Sequence, residues 1–472
     1  MSYGVFKMNI KKYIIDNKKN LTIIALLAMF TIILFKQVIS SYLSQLITLI
    51  PSFVVFIWFL IMFFRGKIKL KSYDIFFAIM LMIGAFSGIF HNQKLIAVLY
   101  QIKSLGIYYL LFMIIRNLCF QKDDIKKILK YVNIITIVLI SFSIVEIIFS
   151  KDILFPKSWA EEIVYADNFI RAYSLICNPN VFGFYLLLVL LYNYKFGNID
   201  FSLKNVIFYS LIFTGIIISI SRSSIICMIV LLFILLIDVI RKRKDKEKMW
   251  NILKLSILIA ISAACLSLII YKTNRIYENY VQSTHSSVIS KPTDNVGNVP
   301  QVNPDINIDL DDEKNTFIDR IFAVFDSKFL NDSLNNGRLA IVKYGLNIWQ
   351  KNILIGTGFS SFLSASSFLN PNIEASQLGL EYADNQYMTI IVETGLLGTL
   401  ALLVSVLLFV LEQFKSKRYL SIVATFIIVF FGLFINSLEV QLIAFMYFLF
   451  VGLEQQDKEV TSIKSSRKRN LK

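Results

Sequence analysis

The sequence predicts an all-α polytopic membrane protein of about twelve transmembrane helices, with one large external loop before helix ten. Three observations carry that expectation. Hydrophobic residues make up 56% of the chain and mean hydropathy is +0.65, a composition that excludes a water-soluble domain and a disordered chain. Apolar runs near the ~20 residues that span a bilayer recur along its length. Lys and Arg collect in alternate connections between those runs, as expected when charge sets membrane orientation.

Segment 1–20 carries Lys7, Lys11, Lys12, Lys18 and Lys19 ahead of an apolar run from Leu21 to Ile39. The length of the run, with no small-residue cleavage pattern after it, favours a first helix over a signal peptide. Further spans read as Tyr42 to Phe64, Asp74 to Phe90, Leu95 to Leu118, Ile128 to Phe149, and Ala172 to Asn193. Lys204 to Ile220, Arg222 to Ile240 and Asn251 to Tyr271 complete helices one to nine, within 21–271. Asn385 to Leu411, Tyr419 to Ile435 and Ser437 to Leu453 form helices ten to twelve, within 385–453. Val206 to Ile240 is nearly continuous in its apolarity. At ~1.5 Å per residue one helix of that length would overshoot a ~30 Å core, so two short helices with a tight turn at Ser219 to Ser223 are expected.

With the N-terminus cytoplasmic, the inside segments hold 32 of the 48 Lys and Arg, including six in the basic tail 454–472. The external loop 272–384 is net acidic, so both termini are expected in the cytoplasm. The net charge of +16 therefore encodes orientation, and nucleic acid is excluded as a partner. Cys119, Cys177, Cys227 and Cys265 show no metal or redox spacing. With only His91 and His285 present, an imidazole zinc site is not supported. In the loop, Thr273 to Thr316 is polar and aperiodic and reads as flexible. Phe317 to Leu330 carries an apolar stripe suited to lying on a membrane or against the bundle.

The chemistry is expected between Asn335 and Gly398. From Arg338 to Gln350, Leu339, Val342, Leu346 and Trp349 recur at helical spacing, predicting a short amphipathic helix. Asn335, Asn336 and Gly337 precede it, so backbone N–H groups, the helix dipole and the Arg338 guanidinium converge where a phosphate would fit. Charged residues inside a bilayer cost at least ~2.5 to 3.5 kcal/mol each, so their placement is informative. Lys103, Glu146, Arg171, Arg222, Glu393 and Glu439 all fall in or at the edge of the outer half, and the inner half has no comparable set. A transporter would keep its charged site near the midplane between related repeats, and no convincing repeat is found.

Each of these residues also has a structural reading. Arg171 and Arg222 would serve as anchors or as partners of Glu146 and Glu439. Glu393 lies about 13 Å along its helix from Asp384 and suits a buried structural partner. Gly395 and Gly398 would permit close packing, and Asn178-Pro179-Asn180 would be a helix-start turn.

The stretch resembles the O-antigen ligase and polysaccharide polymerase (Wzy-like) family. In that family an Arg opens a helix in the large external loop, a Gly-x-Gly turn follows, and the next span begins with His-Asn and carries Glu-x-Gly-x-x-Gly. The counterparts here are Arg338, Gly356 with Gly358, and Glu393 with Gly395 and Gly398. Asp384 stands before Asn385 where the family commonly has His. Upstream, Arg171 with Asn178-Pro179-Asn180, and Ser219-Ile220-Ser221-Arg222, are similar to family motifs.

The resemblance implies glycosyl transfer at the outer face of the cell (plasma or inner) membrane. The donor would be a polyprenyl-pyrophosphate-linked oligosaccharide, with membrane lipid and other polysaccharide-assembly proteins as partners and no cofactor or metal. Arg338 and Arg222 would stabilise the leaving pyrophosphate. Arg171, Asn180, Asn385 and Tyr387 would bind substrate. Asp384 would replace the family's His as base or as orienting acceptor for the attacking sugar hydroxyl, with a helix N-cap as its structural alternative and His91 as another candidate base. The expected activity is a polysaccharide polymerase of capsule type. An O-antigen-ligase-like transfer to another acceptor, and a lipid-oligosaccharide flippase or transporter, are the alternatives.

Overall fold

The computed structural model describes residues 20–43, 45–149, 154–155, 171–197, 202–242, 256–274, 276, 338–371 and 382–469. Every regular element among them is helical. In chain order they are α1 (Asn20–Leu34), α2 (Lys36–Tyr42), a 3₁₀ turn (Gln45–Leu49) and α3 (Ile50–Phe64). Then come α4 (Ser72–Phe90), α5 (Leu95–Arg116), α6 (Lys122–Ile148), a 3₁₀ turn (Ser174–Ile176), α7 (Pro179–Phe196), α8 (Leu203–Ile218) and α9 (Arg222–Lys242). The last are α10 (Ser256–Asn274), α11 (Arg338–Trp349), α12 (Gln386–Lys415), α13 (Tyr419–Phe431) and α14 (Gln441–Arg469). Among the described residues six helical stretches are long and apolar enough to cross a membrane, and four shorter apolar helices accompany them. The stretches 273–316 and 317–330, His285, and Asn335 to Gly337 lie almost wholly outside the described residues.

The centre of the bundle is α7, whose residues from Leu186 to Leu191 are all buried, with α5 and the first half of α14 beside it. Around them α4 packs along α12, α3 lies on α5, and α6 and α8 lie on α7. Large apolar side chains on the outer helices, such as Phe53, Ile75, Met82 and Leu407, face outward, the arrangement of a bundle surrounded by lipid. Interhelical hydrogen bonds add to the packing. Asn133 and Asn193 exchange two bonds of 2.8 Å, Thr136 meets the Tyr185 hydroxyl at 2.8 Å, and Tyr192 donates to the Met446 carbonyl at 2.8 Å. Such bonds each contribute about 0.6 kcal/mol in membrane proteins.

Three observations correct the expected layout. The span expected from Ala172 begins at Pro179 instead, because Asn178 caps the helix by accepting from the N–H groups of Asn180 and Val181, and Cys177 before it is left-handed (φ 59). The span from Asn385 is interrupted at Gly395, whose φ of 62 and ψ of −166 are non-helical.

The half of the bundle expected to hold no comparable set of charges contains a buried ion pair between Arg116 and Asp74. Asp74 also accepts from the Tyr109 hydroxyl at 2.7 Å and from the Lys71 N–H at 2.7 Å. Lys71 pairs with Glu412, and Lys195 lies 3.3 Å from Glu454, at that same end. These pairs fasten helix ends together, and breaking a buried one leaves an uncompensated charge.

Candidate active site

At the opposite end of the bundle the candidate site falls into three groups, and three buried carboxylates, Glu393, Glu439 and Glu146, hold two of its non-helical segments. The first is the run 353–367, which enters beside α4 and α12. A helix broken at Gly395 releases the Val392 and Glu393 carbonyls and the Leu396 and Leu397 N–H groups, and in lipid each must find a new partner. The inserted run supplies all four. Thr357 and Gly358 donate to Val392 and Glu393 at 2.8 and 2.9 Å, and Leu396 and Leu397 donate to Ile353 and Leu354 at 2.8 and 2.9 Å. Gly356, Gly358 and Gly395 all have positive φ, and a Cβ on Gly356 or Gly395 would meet the other's backbone. On its other side the run packs on α4. Ser87 donates to the Gly356 carbonyl at 2.8 Å, Phe359 donates to the Gly84 carbonyl at 3.0 Å, and a Cβ on Gly358 would collide with Gly88.

Glu393, 1% exposed, accepts from the N–H groups of Ser360 at 3.0 Å and Phe362 at 3.4 Å. Glu439 accepts from the Ala365 N–H at 2.7 Å and from the Gln101 amide at 2.7 Å. Glu146 accepts from the Ser174 N–H at 2.7 Å and so holds the segment that carries Arg171. The family-like Gly-x-Gly and Glu-x-Gly pairs thus position a loop. The structural reading of Glu393 agrees with this geometry, whereas Gly395 permits close approach of the inserted run and not of a second helix. The only sequence signal for Gln101 is a polar side chain in the outer third of an apolar helix.

The second group lies where α12 begins. Asn385 is the N-cap, its side-chain oxygen accepting from the N–H groups of Tyr387 and Met388 at 3.1 Å each. The alternative of Asp384 as the cap is therefore corrected: Asp384 stands one residue outside the helix, half-buried, between buried Ala383 and Asn385. Asn385 and Tyr387, expected to bind substrate, have structural partners, because Tyr387 also donates to the Val429 carbonyl at 2.5 Å. The predicted amphipathic helix over 338–350 is present as α11. Its Ile341 clusters with Ala383 and Met388, and its Gly345 lets Phe362 and Val392 come close. Arg338 is the first residue of α11, one turn before Ile341, so its backbone stands at the helix start beside the segment carrying Asp384; its side chain lies outside the described part.

The third group joins α7, α8 and α9. The chain turns between Ile218 and Arg222 through Ile220 (φ 45), as the length of the apolar run requires. Arg171 crosses this turn, donating from Nε to the Ser219 carbonyl at 3.1 Å and from Nη2 to the Asn180 side-chain oxygen at 2.8 Å. Ser219 and Ser224 fit against Gly183, where a Cβ would displace both. Arg222 opens α9 at the end of the turn, half-buried. Arg171, Asn180 and Arg222 are thus brought to one junction, with Asn180 orienting a guanidinium.

The second and third groups flank the end of α13. Phe184 of α7 packs on Phe431 with the rings tilted and their centroids 4.2 Å apart, and the Gln386 N–H donates to the Gly432 carbonyl at 2.8 Å. His91 stands at the end of α4 behind the inserted run, its Nδ1 2.8 Å from the Ser87 carbonyl. Donation to that carbonyl leaves Nε2 as an acceptor, the tautomer a base needs. Among the described residues no three His, Cys, Asp or Glu side chains gather as a metal site.

No curated protein matches the chain. Residues 207–403, which run from α8 to the middle of α12, match the family model described as O-antigen ligase. This stretch is similar to that family, and the turn with Arg222, the start of α11 and the break at Gly395 all fall inside it.

Proposed function

We propose that this protein is a membrane polysaccharide polymerase that joins polyprenyl-pyrophosphate-linked oligosaccharide repeat units at the external membrane face, without a metal. The observation that carries the reading is the guanidinium of Arg171, aimed by Ser219 and Asn180 at the junction where Arg222 opens a helix, across α13 from Asp384. An acceptor hydroxyl attacks the anomeric carbon of the donor sugar. The bond from that carbon to the pyrophosphate oxygen breaks, and the lipid pyrophosphate leaves with the electron pair. Negative charge then builds on the leaving group, where fixed Arg forks are worth most. The hydroxyl proton passes to Asp384, or to His91 through Nε2. The charge bias of the sequence supports an inner-membrane protein with both termini cytoplasmic.

The family description favours a second reading, a ligase that passes finished polymer to another acceptor. Incubating purified protein with a lipid-pyrophosphate repeat unit tests both. A ladder of products supports the polymerase, and transfer only to an added second acceptor supports the ligase. Transport with neither product would place the protein with lipid-oligosaccharide flippases.

A further inference from the structure

Between α3, α4 and α5 lies a groove of about 800 Å³. Its walls are apolar along their length, from Leu99 near the start of α5 to Met113 near its end, roughly 20 Å of helix at ~1.5 Å per residue. Phe53, Phe56 and Met82 open it to the outside of the bundle. One charge in this wall is not accounted for. Asp74 is paired with Arg116, but the Nζ of Lys103 is buried with no hydrogen-bond partner and lies 4.1 Å from the centroid of the Tyr100 ring. Tyr100 is one turn nearer the Leu95 end, so the ammonium leans that way, as a Lys near a membrane interface does. Lys36, at the start of α2, adds a second positive charge within Coulombic reach of Lys103. A buried ammonium with no hydrogen-bond partner, in the wall of an apolar channel, complements a molecule with a long hydrocarbon tail and an anionic head.

The groove is continuous with the candidate site. The Tyr100 ring beneath the ammonium meets the edge of Phe368, just after the inserted run, with centroids 5.0 Å apart. Lys94 donates to the Leu369 carbonyl at 3.3 Å, and Gln101 binds Glu439, which holds Ala365. On the other side α2 packs against Ser174–Ile176, next to Arg171. A lipid head at Lys103 would therefore sit between the segments that carry the two halves of the site. This continuity with the site that takes the lipid-linked sugar in the transferase reading points to that lipid as the occupant.

We propose that the α3/α4/α5 groove seats the isoprenoid tail of the polyprenyl-linked substrate, with the Lys103 ammonium facing its phosphate. This rests on the transferase reading above for the identity of the lipid, and its test is independent of transfer.

The full chain in nanodiscs is irradiated with a benzophenone-bearing polyprenyl phosphate that carries no sugar, and the labelled peptides are mapped. Label is expected in 49–113. A charge-assisted hydrogen bond is worth roughly tenfold or more in affinity, so Lys103→Gln should cut labelling about tenfold and Lys103→Arg should hold it within about threefold. Leu99→Trp, at an exposed lining position, should block labelling while the protein stays monodisperse. Phosphatidylglycerol at tenfold excess should not displace the probe. Label confined to other helices, indifference to both Lys103→Gln and Leu99→Trp, or displacement by phosphatidylglycerol would overturn the proposal. If labelling fails while the same preparation transfers sugar, the groove is wrong and the enzyme reading stands. If the groove is labelled and no transfer occurs with an intact repeat unit, the groove stands and the enzyme reading falls.

Discussion

Gly395→Ala perturbs the feature on which the candidate site is built. The native backbone there, φ 62 and ψ −166, belongs to a region open essentially to Gly alone, and forcing Ala into it costs ~1 to 3 kcal/mol. The added Cβ also points into the Gly356 N–H and the Leu354 carbonyl, which are backbone atoms and have little room to yield. Relief requires moving the inserted run away, which breaks some of the four hydrogen bonds across the break, each worth ~0.5 to 1.5 kcal/mol net. The expected destabilisation is at least ~3 kcal/mol. Gly66→Ala is the control, since Gly66 has the same φ of 62 and no atom within 4 Å of its added Cβ, leaving ~1 to 2 kcal/mol of backbone strain alone. Thermal unfolding of both variants in detergent, followed by the monodisperse fraction on gel filtration, reads the difference. If Gly395→Ala were no less stable than Gly66→Ala, the paired break would not be a stabilising element.

Four further outcomes are expected. Glu393→Gln should fold within about 1 kcal/mol of the parent because both N–H donors aim at one oxygen, which the amide keeps; Glu393→Ala strands two buried donors at ~1 to 3 kcal/mol each and should lower thermal stability clearly. Asn385→Ala should cost ~0.5 to 2 kcal/mol as the loss of a cap, whereas Asp384→Asn should leave stability within ~0.5 kcal/mol and lower transfer ~10² to 10⁴-fold; a wild-type rate would move the base elsewhere, His91 first. Ala at Arg171, Arg222 or Arg338 should cut transfer ~10² to 10³-fold at unchanged protein level, with little rescue by Lys, and near-normal synthesis in all three would refute their role on the pyrophosphate. Arg116→Ala should destabilise by ~3 to 5 kcal/mol in a thermal melt, since it leaves Asp74 buried and unpaired at the far end of the bundle.

The helices were legible where hydropathy and length decide them. The turn at Ser219 to Ser221 follows from how far a helix can run before leaving the bilayer, and α11 follows from the spacing of Leu339, Val342 and Leu346. Hydropathy does not separate a buried non-helical segment from a helix, so it runs Ala172 to Cys177 into a span that starts only at the Asn178-Pro179 cap. The break at Gly395 was hidden for a related reason. Its side chains keep the apolar pattern of a spanning helix, and the groups that repair it, from Ile353 to Gly358, lie some 40 residues earlier. Asp384 and Asn385 are both cap formers side by side, and only the geometry of the first turn chooses Asn385. The Arg171–Asn180 bond joins residues nine apart across a capped turn, a contact that neither propensity nor periodicity encodes.

Glycosyl transfer from a lipid pyrophosphate is measured most directly by giving the purified protein one radiolabelled polyprenyl-pyrophosphate repeat unit in a chelator-treated membrane mimetic and resolving the products by size. A polymerase working through Arg171, Arg222 and Asp384 yields a ladder spaced by one repeat unit, with free polyprenyl pyrophosphate released in step, and the ladder disappears in Arg171→Ala. A repeat unit recovered intact by the wild-type protein, with and without an added second acceptor, would contradict transfer at this site.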